Sequence, residues 1–243
     1  MAIHLITDFG LEGPYTGQVL ARLHAEAPAV PAFCLFADAP AFDAERSAYL
    51  VSAYGKTTAQ GDVLLCIVDP GVGTERAGLV MNADGRWFVG PDNGLLEVAA
   101  LHADAARWWR LDPPPRTASA TFHGRDWFAP AAASIAVTGA VPGHSCAGPA
   151  GGCLRPPDLA EIVYIDHYGN AMTGLRAAKV PASARLCVCG TMVVPGSVFA
   201  AAEPRMPFWY VNSNGLIEIA VNRGRADRIP GVAVGAPVTW TNS

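Results

Sequence analysis

Over its first 140 residues the chain alternates short apolar runs with stretches of helical period. Residues 3–6 form a continuous apolar run of strand length that ends at Thr7-Asp8-Phe9-Gly10. Beyond it, Val19, Leu20 and Leu23 recur at helical spacing. Residues 30–36 predict a second strand and residues 44–53 a second helix. A third apolar strand, 63–68, stops abruptly at Asp69-Pro70-Gly71-Val72-Gly73. Segments 79–82 and 87–89 flank Asp84-Gly85, a dipeptide suited to the positive φ values of a tight hairpin. Segments 93–101 and 126–137 carry helical patterns. Strands alternating with helices predict an α/β domain with a mainly parallel sheet over residues 1–145.

The pattern then changes. Residues 146–160 contain Gly148-Pro149, Gly151-Gly152 and Pro156-Pro157, the composition of a linker. Short β-type runs follow at 161–165, 186–189, 192–194, 208–211, 216–221 and 238–241, separated by turn residues. No amphipathic helix stands out among them. This half, 161–243, predicts a small all-β, barrel-like domain.

Composition narrows the function classes. Hydrophobic residues make up 51% of the 243 and charged residues only 16%, which excludes disorder driven by charge. The net charge is −4 and lysine stands only at Lys56 and Lys179, so no basic surface awaits nucleic acid or anionic lipid. No apolar run approaches the roughly 18 residues of a membrane span. The opening Met1-Ala2-Ile3-His4-Leu5-Ile6-Thr7-Asp8 has no basic region of a signal peptide, so a cytoplasmic protein is expected. Of six cysteines, Cys66 sits in an apolar run, and Cys187 and Cys189 lack a second pair at zinc-like spacing. Neither a disulfide framework nor a metal site is expected.

Four segments carry candidate chemistry. Asp8 and Asp69 each follow an apolar strand, and ligands of open α/β sheets bind beyond the carboxyl ends of the strands. Either acid alone equally suits a loop or helix cap; two such ends with adjacent glycines favour a site. Gly71-Val72-Gly73-Thr74-Glu75-Arg76 begins like a dinucleotide fingerprint, but Arg76 occupies its third glycine position and the Gly-Lys of a P-loop is missing. In Thr121-Phe122-His123-Gly124-Arg125-Asp126, a histidine between charged neighbours opens an apolar helix and can act as base or polariser. His4, His24, His102, His144 and His167 have weaker surroundings. Tyr164-Ile165-Asp166-His167-Tyr168-Gly169-Asn170 offers hydrogen-bonding groups at a strand exit, although a plain turn explains Gly169-Asn170 as well.

In order along the chain, Thr7-Asp8-Phe9-Gly10, Val68-Asp69-Pro70-Gly71-Val72-Gly73-Thr74-Glu75-Arg76, Val89-Gly90-Pro91-Asp92-Asn93-Gly94, Thr121-Phe122-His123-Gly124-Arg125-Asp126, Ile165-Asp166-His167-Tyr168-Gly169-Asn170 and Asn212-Ser213-Asn214-Gly215-Leu216-Ile217-Glu218-Ile219-Ala220 form a collinear series. The series resembles the S-adenosyl-L-methionine hydroxide adenosyltransferase family, relatives of fluorinating and chlorinating enzymes. The resemblance implies an α/β domain followed by a β-barrel, and a homotrimer that binds a small-molecule substrate at subunit interfaces. It implies that hydroxide derived from water attacks the ribose 5′ carbon of S-adenosylmethionine, expels methionine and leaves adenosine. It places the catalytic set on Asp69, Arg76 and His123 and the acid for the ribose diol on Asp8. Methionine-end contacts fall on Asp166 and Ser213, and adenine contacts on Asn170 and Phe199. Further substrate contacts fall on Phe9, Asn93, Phe122, Gly124 and Tyr168. No metal or cofactor is implied, although adenosine can be carried through purification.

The short connection over 76–88 and the pair His123-Gly124 point to water rather than halide as nucleophile, since halogenating relatives carry an insertion there and lack the pair. Two positions depart from the family: Cys34-Leu35-Phe36-Ala37 replaces its usual Asp and His after the second strand, and Tyr168 stands where Phe is common. A nucleoside-binding protein without catalysis, and a halide-using enzyme on the same scaffold, are the alternatives.

Overall fold

In the computed structural model, which describes residues 1–241, the chain divides into two units that meet between Arg155 and Pro156. The first contains β1 (Ile3–Thr7), α1 (Tyr15–Glu26), β2 (Ala32–Phe36), α2 (Ala44–Gly55), β3 (Val63–Ile67), β4 (Gly78–Ala83), β5 (Arg86–Pro91), α3 (Glu97–Leu101), β6 (Ala106–Leu111), α4 (Ala129–Thr138) and β7 (Gly143–Cys146). The seven strands form one sheet in the order β2-β1-β3-β5-β4-β6-β7. The sheet is parallel from β2 to β5 and antiparallel from β5 to β7. The expected parallel arrangement therefore describes the half that presents Asp8 and Asp69, and the other half makes the sheet mixed. One of these pairs is a tight hairpin: Asp84 and Gly85, at φ 48° and 80°, turn β4 straight back as β5.

β3 is apolar throughout because both of its faces are covered. Val63, Leu65 and Ile67 pack with Val19 and Leu23 of α1 and Ala132 and Ile135 of α4. Leu64 and Cys66 face the opposite layer with Val51 of α2. That alternation fixes the strand's register and so the direction in which Asp69 leaves the sheet. β2, by contrast, is an edge strand whose middle residues Phe33, Cys34 and Leu35 are exposed. The predicted linker is ordered at its start. β7 joins the sheet, the backbone N–H groups of Leu154 and Arg155 donate to Glu97 at 2.9 and 3.1 Å, and the Arg155 guanidinium donates to the carbonyls of Asn93 and Gly94.

The second unit contains β8 (Leu159–Ile165), β9 (Ala171–Arg176), β10 (Arg185–Val188), β11 (Thr191–Pro195), β12 (Pro207–Val211), β13 (Leu216–Val221) and β14 (Val238–Thr241). They order as β14-β10-β11-β12-β13-β9-β8, all antiparallel except β11 beside β12. A bridge from Glu161 to Pro237 brings the two ends together, so the sheet is nearly closed. Its interior is filled by Ile162, Leu186, Trp209, Ile217 and Ile219, with the Trp209 indole N–H donating to the Ala184 carbonyl at 2.9 Å.

Candidate functional site

The carboxyl ends of β1 and β3 open onto a cavity of about 400 Å³ in the first unit, lined by Asp8, Phe9, Tyr15, Phe42, Asp69, Thr121, Phe122, His123 and Gly124 among others. Asp69 leaves β3 through Val68, whose carbonyl accepts from the Asn93 side-chain amide at 2.9 Å. The loop beyond Asp69 returns through Gly73, at φ 82°, where a Cβ would lie 2.6 Å from the Ala120 carbonyl oxygen. Only glycine permits both that backbone and that approach. Arg76 is thereby aimed back at Asp69.

Asp69, Arg76 and His123 form a continuous chain. The Arg76 Nε–H donates to one Asp69 oxygen at 2.7 Å, its Nη2 donates to the other, and Nη2 also lies 3.2 Å from Nδ1 of His123. A guanidinium has no acceptor, so Nδ1 must offer its lone pair and the neutral ring carries its proton on Nε2. Burial and the neighbouring Arg76 charge hold the His123 pKa below its ordinary value, against the opposing pull of Asp69 and Asp126. The imidazole is thus neutral near pH 7 and lines the cavity as an N–H donor. Arg76 itself stands behind its two partners, its guanidinium 4.9 Å from the ring centroid of Phe128 and 5.5 Å from that of Trp127. It orders Asp69 and His123 without facing the cavity.

His123 is placed by a turn of unusual pitch. The segment Gly124–Phe128 is π-helical and leads into α4, a local irregularity that often accompanies functional positions. A Cβ on Gly124 would come within 3.0 Å of Ile67, so this glycine lets the turn sit on β3. Arg125 braces the outside of the turn. It pairs with Asp126, donates to Gln18 at 2.7 Å and lies over the Phe122 ring at 4.9 Å, while Asp126 accepts the Ser119 N–H.

The remaining wall is aromatic, with Phe9, Tyr15 and Phe122 meeting pairwise at centroid distances of 5.6–5.9 Å. Asp8 faces them. It accepts the Phe42 N–H at 2.9 Å, and burial raises its pKa. Phe42, at φ 62° and 77% exposed, stands at the mouth of the cavity.

A second cavity, of about 670 Å³, lies in the second unit between the β8–β9 turn and the ends of β12 and β13. Asp166, Tyr168, Asn170, Phe199 and Ser213 all line it. Asp166 accepts the backbone and side-chain N–H groups of Asn170 at 2.8 and 3.0 Å. Glu218, buried on β13, accepts the Tyr210 hydroxyl and the Asn212 amide.

Twelve of the thirteen residues named from the sequence therefore line the two cavities or bond directly to a lining residue. Asn93 is the exception and lines neither cavity. Its side chain is spent on the Val68 carbonyl and the Leu95 N–H, so it holds the strand end that presents Asp69. Tyr15, Phe42, Tyr210 and Glu218 were missed; only their place in the fold gives them away. Among the described residues no group of three or more His, Cys, Asp and Glu gathers as for a metal, and no helix is long and apolar enough to cross a membrane.

A mixed α/β unit with a carboxylate–guanidinium–imidazole chain in its cavity, joined to a barrel-like unit with a polar cavity, defines a two-domain enzyme acting on small molecules. The chain belongs to the SAM hydroxide adenosyltransferase family: the model of the family's N-terminal domain matches residues 3–143 and that of its C-terminal domain residues 160–239. It is 38% identical to an (R)-S-adenosyl-L-methionine hydrolase of Thermus thermophilus, over 97% of this chain and 98% of that protein. A protein of the same name from Salinispora arenicola is 36% identical over 96% of this chain and 95% of its own length. Among solved structures, a conserved protein from Thermotoga maritima superposes with a TM-score of 0.88 at 25% identity, covering 98% of this chain and all of that one. One from Thermus thermophilus gives 0.78 at 35% identity, covering 99% of each chain.

Proposed function

We propose that this protein hydrolyses S-adenosyl-L-methionine to adenosine and L-methionine. The observation that carries the reading is the Asp69–Arg76–His123 chain, whose Asp69 and His123 line one cavity with Asp8, in a family with a hydrolase 38% identical to this chain. A water oxygen bonds to the ribose 5′ carbon as the carbon–sulfur bond breaks, the bond pair leaves with sulfur as a neutral thioether, and one proton is released. The sulfonium needs no acid to depart, so the enzyme's task is to align the water and take its proton. In-line placement alone is worth roughly 7–11 kcal/mol.

The tautomer divides the labour. With Nδ1 committed to Arg76, His123 has no free lone pair and donates from Nε2 to the water oxygen. Asp69, which faces the cavity and keeps acceptor capacity beyond its bonds to Arg76, takes the proton. Asp8 accepts the ribose hydroxyls, and the aromatic wall of Phe9, Tyr15 and Phe122 excludes bulk water.

The functional unit is a homotrimer in which the N-terminal cavity of one copy and the C-terminal cavity of a neighbour enclose one substrate. Methionine lies toward Asp166 and Ser213, and adenine toward Asn170 and Phe199. The reaction calls for no metal or cofactor, and the enzyme acts in the cytoplasm, in keeping with six free cysteines. Chromatography of protein incubated with S-adenosylmethionine tests the reading. Adenosine and methionine in equal amounts, independent of added chloride and lost in His123→Ala, are expected. Tight binding without products would contradict hydrolysis.

A further inference from the structure

Asp69 is fixed from both sides along the chain. Beyond it, the loop returns through Gly73 to Arg76; before it stands Val68, fully buried, whose carbonyl accepts the Asn93 side-chain amide at 2.9 Å. Asn93 lies in the tight turn between β5 and α3, and its Oδ1 accepts the Leu95 N–H at 3.2 Å. A residue far along the chain clamps that turn. Arg155, the last residue of the first unit, donates from Nε to the Gly94 carbonyl at 3.1 Å and from Nη2 to the Asn93 carbonyl at 3.2 Å. Gly94 stands at φ 89°, and a Cβ there would lie 2.5 Å from Nη2 of Arg155. Glycine is what lets the guanidinium close onto both carbonyls.

The segment that carries Arg155 does not need this side chain to stay in place. Glu97, only 7% exposed, accepts the backbone N–H groups of both Leu154 and Arg155. The exposed Glu45, 3.7 Å from Nη1, contributes little. What the guanidinium adds is a rigid fork across two successive carbonyls of one turn, which a single ammonium cannot reproduce. With its carbonyl and Oδ1 both held, Asn93 has its amide aimed at Val68. We propose that Arg155 is a positioning residue for hydrolysis: it fixes the Asn93–Gly94 turn, the turn sets the Val68 carbonyl, and Val68 sets the direction in which the Asp69 carboxylate meets the attacking water. This rests on the hydrolase reading above, with Asp69 as the group that takes the proton.

The test uses the full chain with Arg155→Met, which keeps the apolar stem and removes the fork, and Arg155→Lys, which keeps the charge. Small displacements of a reacting group by a distant substitution can cost up to about a hundredfold in rate. Arg155→Met is expected to lose ten- to a hundredfold in kcat with KM for S-adenosylmethionine within about twofold, because Asp8 and the aromatic wall are untouched; Arg155→Lys should recover part of the loss. An unchanged kcat, or a loss carried by KM, would overturn the assignment. Hydrogen–deuterium exchange of the same proteins reads the chain of contacts without turnover. In Arg155→Met, exchange should quicken over residues 91–97 and also over 66–76, where the Val72 N–H donates to the Asp69 carbonyl and the Thr74 N–H to that of Gly71. Quickening that stops at 91–97 would overturn the coupling to Asp69. A wild type that forms no adenosine, yet shows the coupled exchange, would count against hydrolysis and leave the positioning contacts demonstrated.

Discussion

At the scale of single residues, the site turns on which protons sit where. His123 is held neutral, its pKa lowered by burial and by Arg76. Protonating Nδ1 would break its contact with Arg76 and set two cations against each other. The proposed kcat should therefore stay level as pH falls to 6.5, the ordinary histidine value, and decline only below it. An acid limb centred at or above pH 7 would contradict the tautomer. The same shift has a sign for stability. A folded pKa below the unfolded one means that the unfolded chain binds the extra proton first, so stability is full above about pH 6.5 and is lost as pH falls further. Melting curves of His123→Asn should lack that slope. Removing one preorganised donor typically costs about 10²–10³-fold in kcat, which is the loss expected for His123→Ala. Asp8 has the opposite character, since burial raises its pKa and its charge is held at a cost to folding. Asp8→Asn should melt higher than the wild type while its KM rises roughly tenfold or more, as the ribose hydroxyls lose a charged acceptor. That Asp8, Asp69 and His123 gather at one cavity was legible because strand-end acids and the Thr121-Phe122-His123-Gly124 run stand in a fixed order. Asn93 stands in a motif segment as well, and its amide serves the backbone that carries Asp69.

At the scale of elements, legibility followed burial on two faces. β1 and β3 are covered by helices on both sides and read as continuous apolar runs, and the Asp84-Gly85 turn marked its hairpin unmistakably. Other elements were masked for local reasons. β9 is interrupted by Gly174, which is required because a Cβ there would lie 2.7 Å from that of Leu159 on β8. β6 carries arginines among its tryptophans, and β7 lies next to a stretch rich in Gly and Pro. Segment 93–101 is helical only from Glu97, because Asn93 folds onto the Leu95 N–H in a tight turn first. The helix expected over 126–137 begins instead as the π-helical turn behind His123. Two substitutions probe how elements hold the site. Phe128 is fully buried beneath the Arg76 guanidinium, so Phe128→Ala should cost about 3–5 kcal/mol in denaturant unfolding and lower activity as well. Gly73→Ala should cost about 1–3 kcal/mol and displace the loop that returns Arg76 to Asp69, seen as a fall in kcat larger than any change in KM.

At the scale of the whole molecule, the two cavities are each half-equipped for the proposed substrate. In the proposed reaction the first, lined by Asp8, Asp69 and His123, serves ribose and water, and the second, lined by Asp166 and Ser213, serves the amino-acid end. The proposed homotrimer, sharing them between copies, makes a sharp expectation. Chains disabled at Asp69 and chains disabled at Asp166, inactive apart, should regain part of the activity when co-expressed, because some mixed assemblies contain one intact pair of cavities. Absence of recovery in assemblies shown to be mixed would place both halves of a site on one chain. The central claim, attack of water on the 5′ carbon, is tested most directly by running the reaction in water enriched in oxygen-18 and weighing both products. The expected result is one heavy oxygen in the 5′ hydroxyl of adenosine and none in methionine. Adenosine without the label, or no adenosine from protein that binds S-adenosylmethionine, would contradict it.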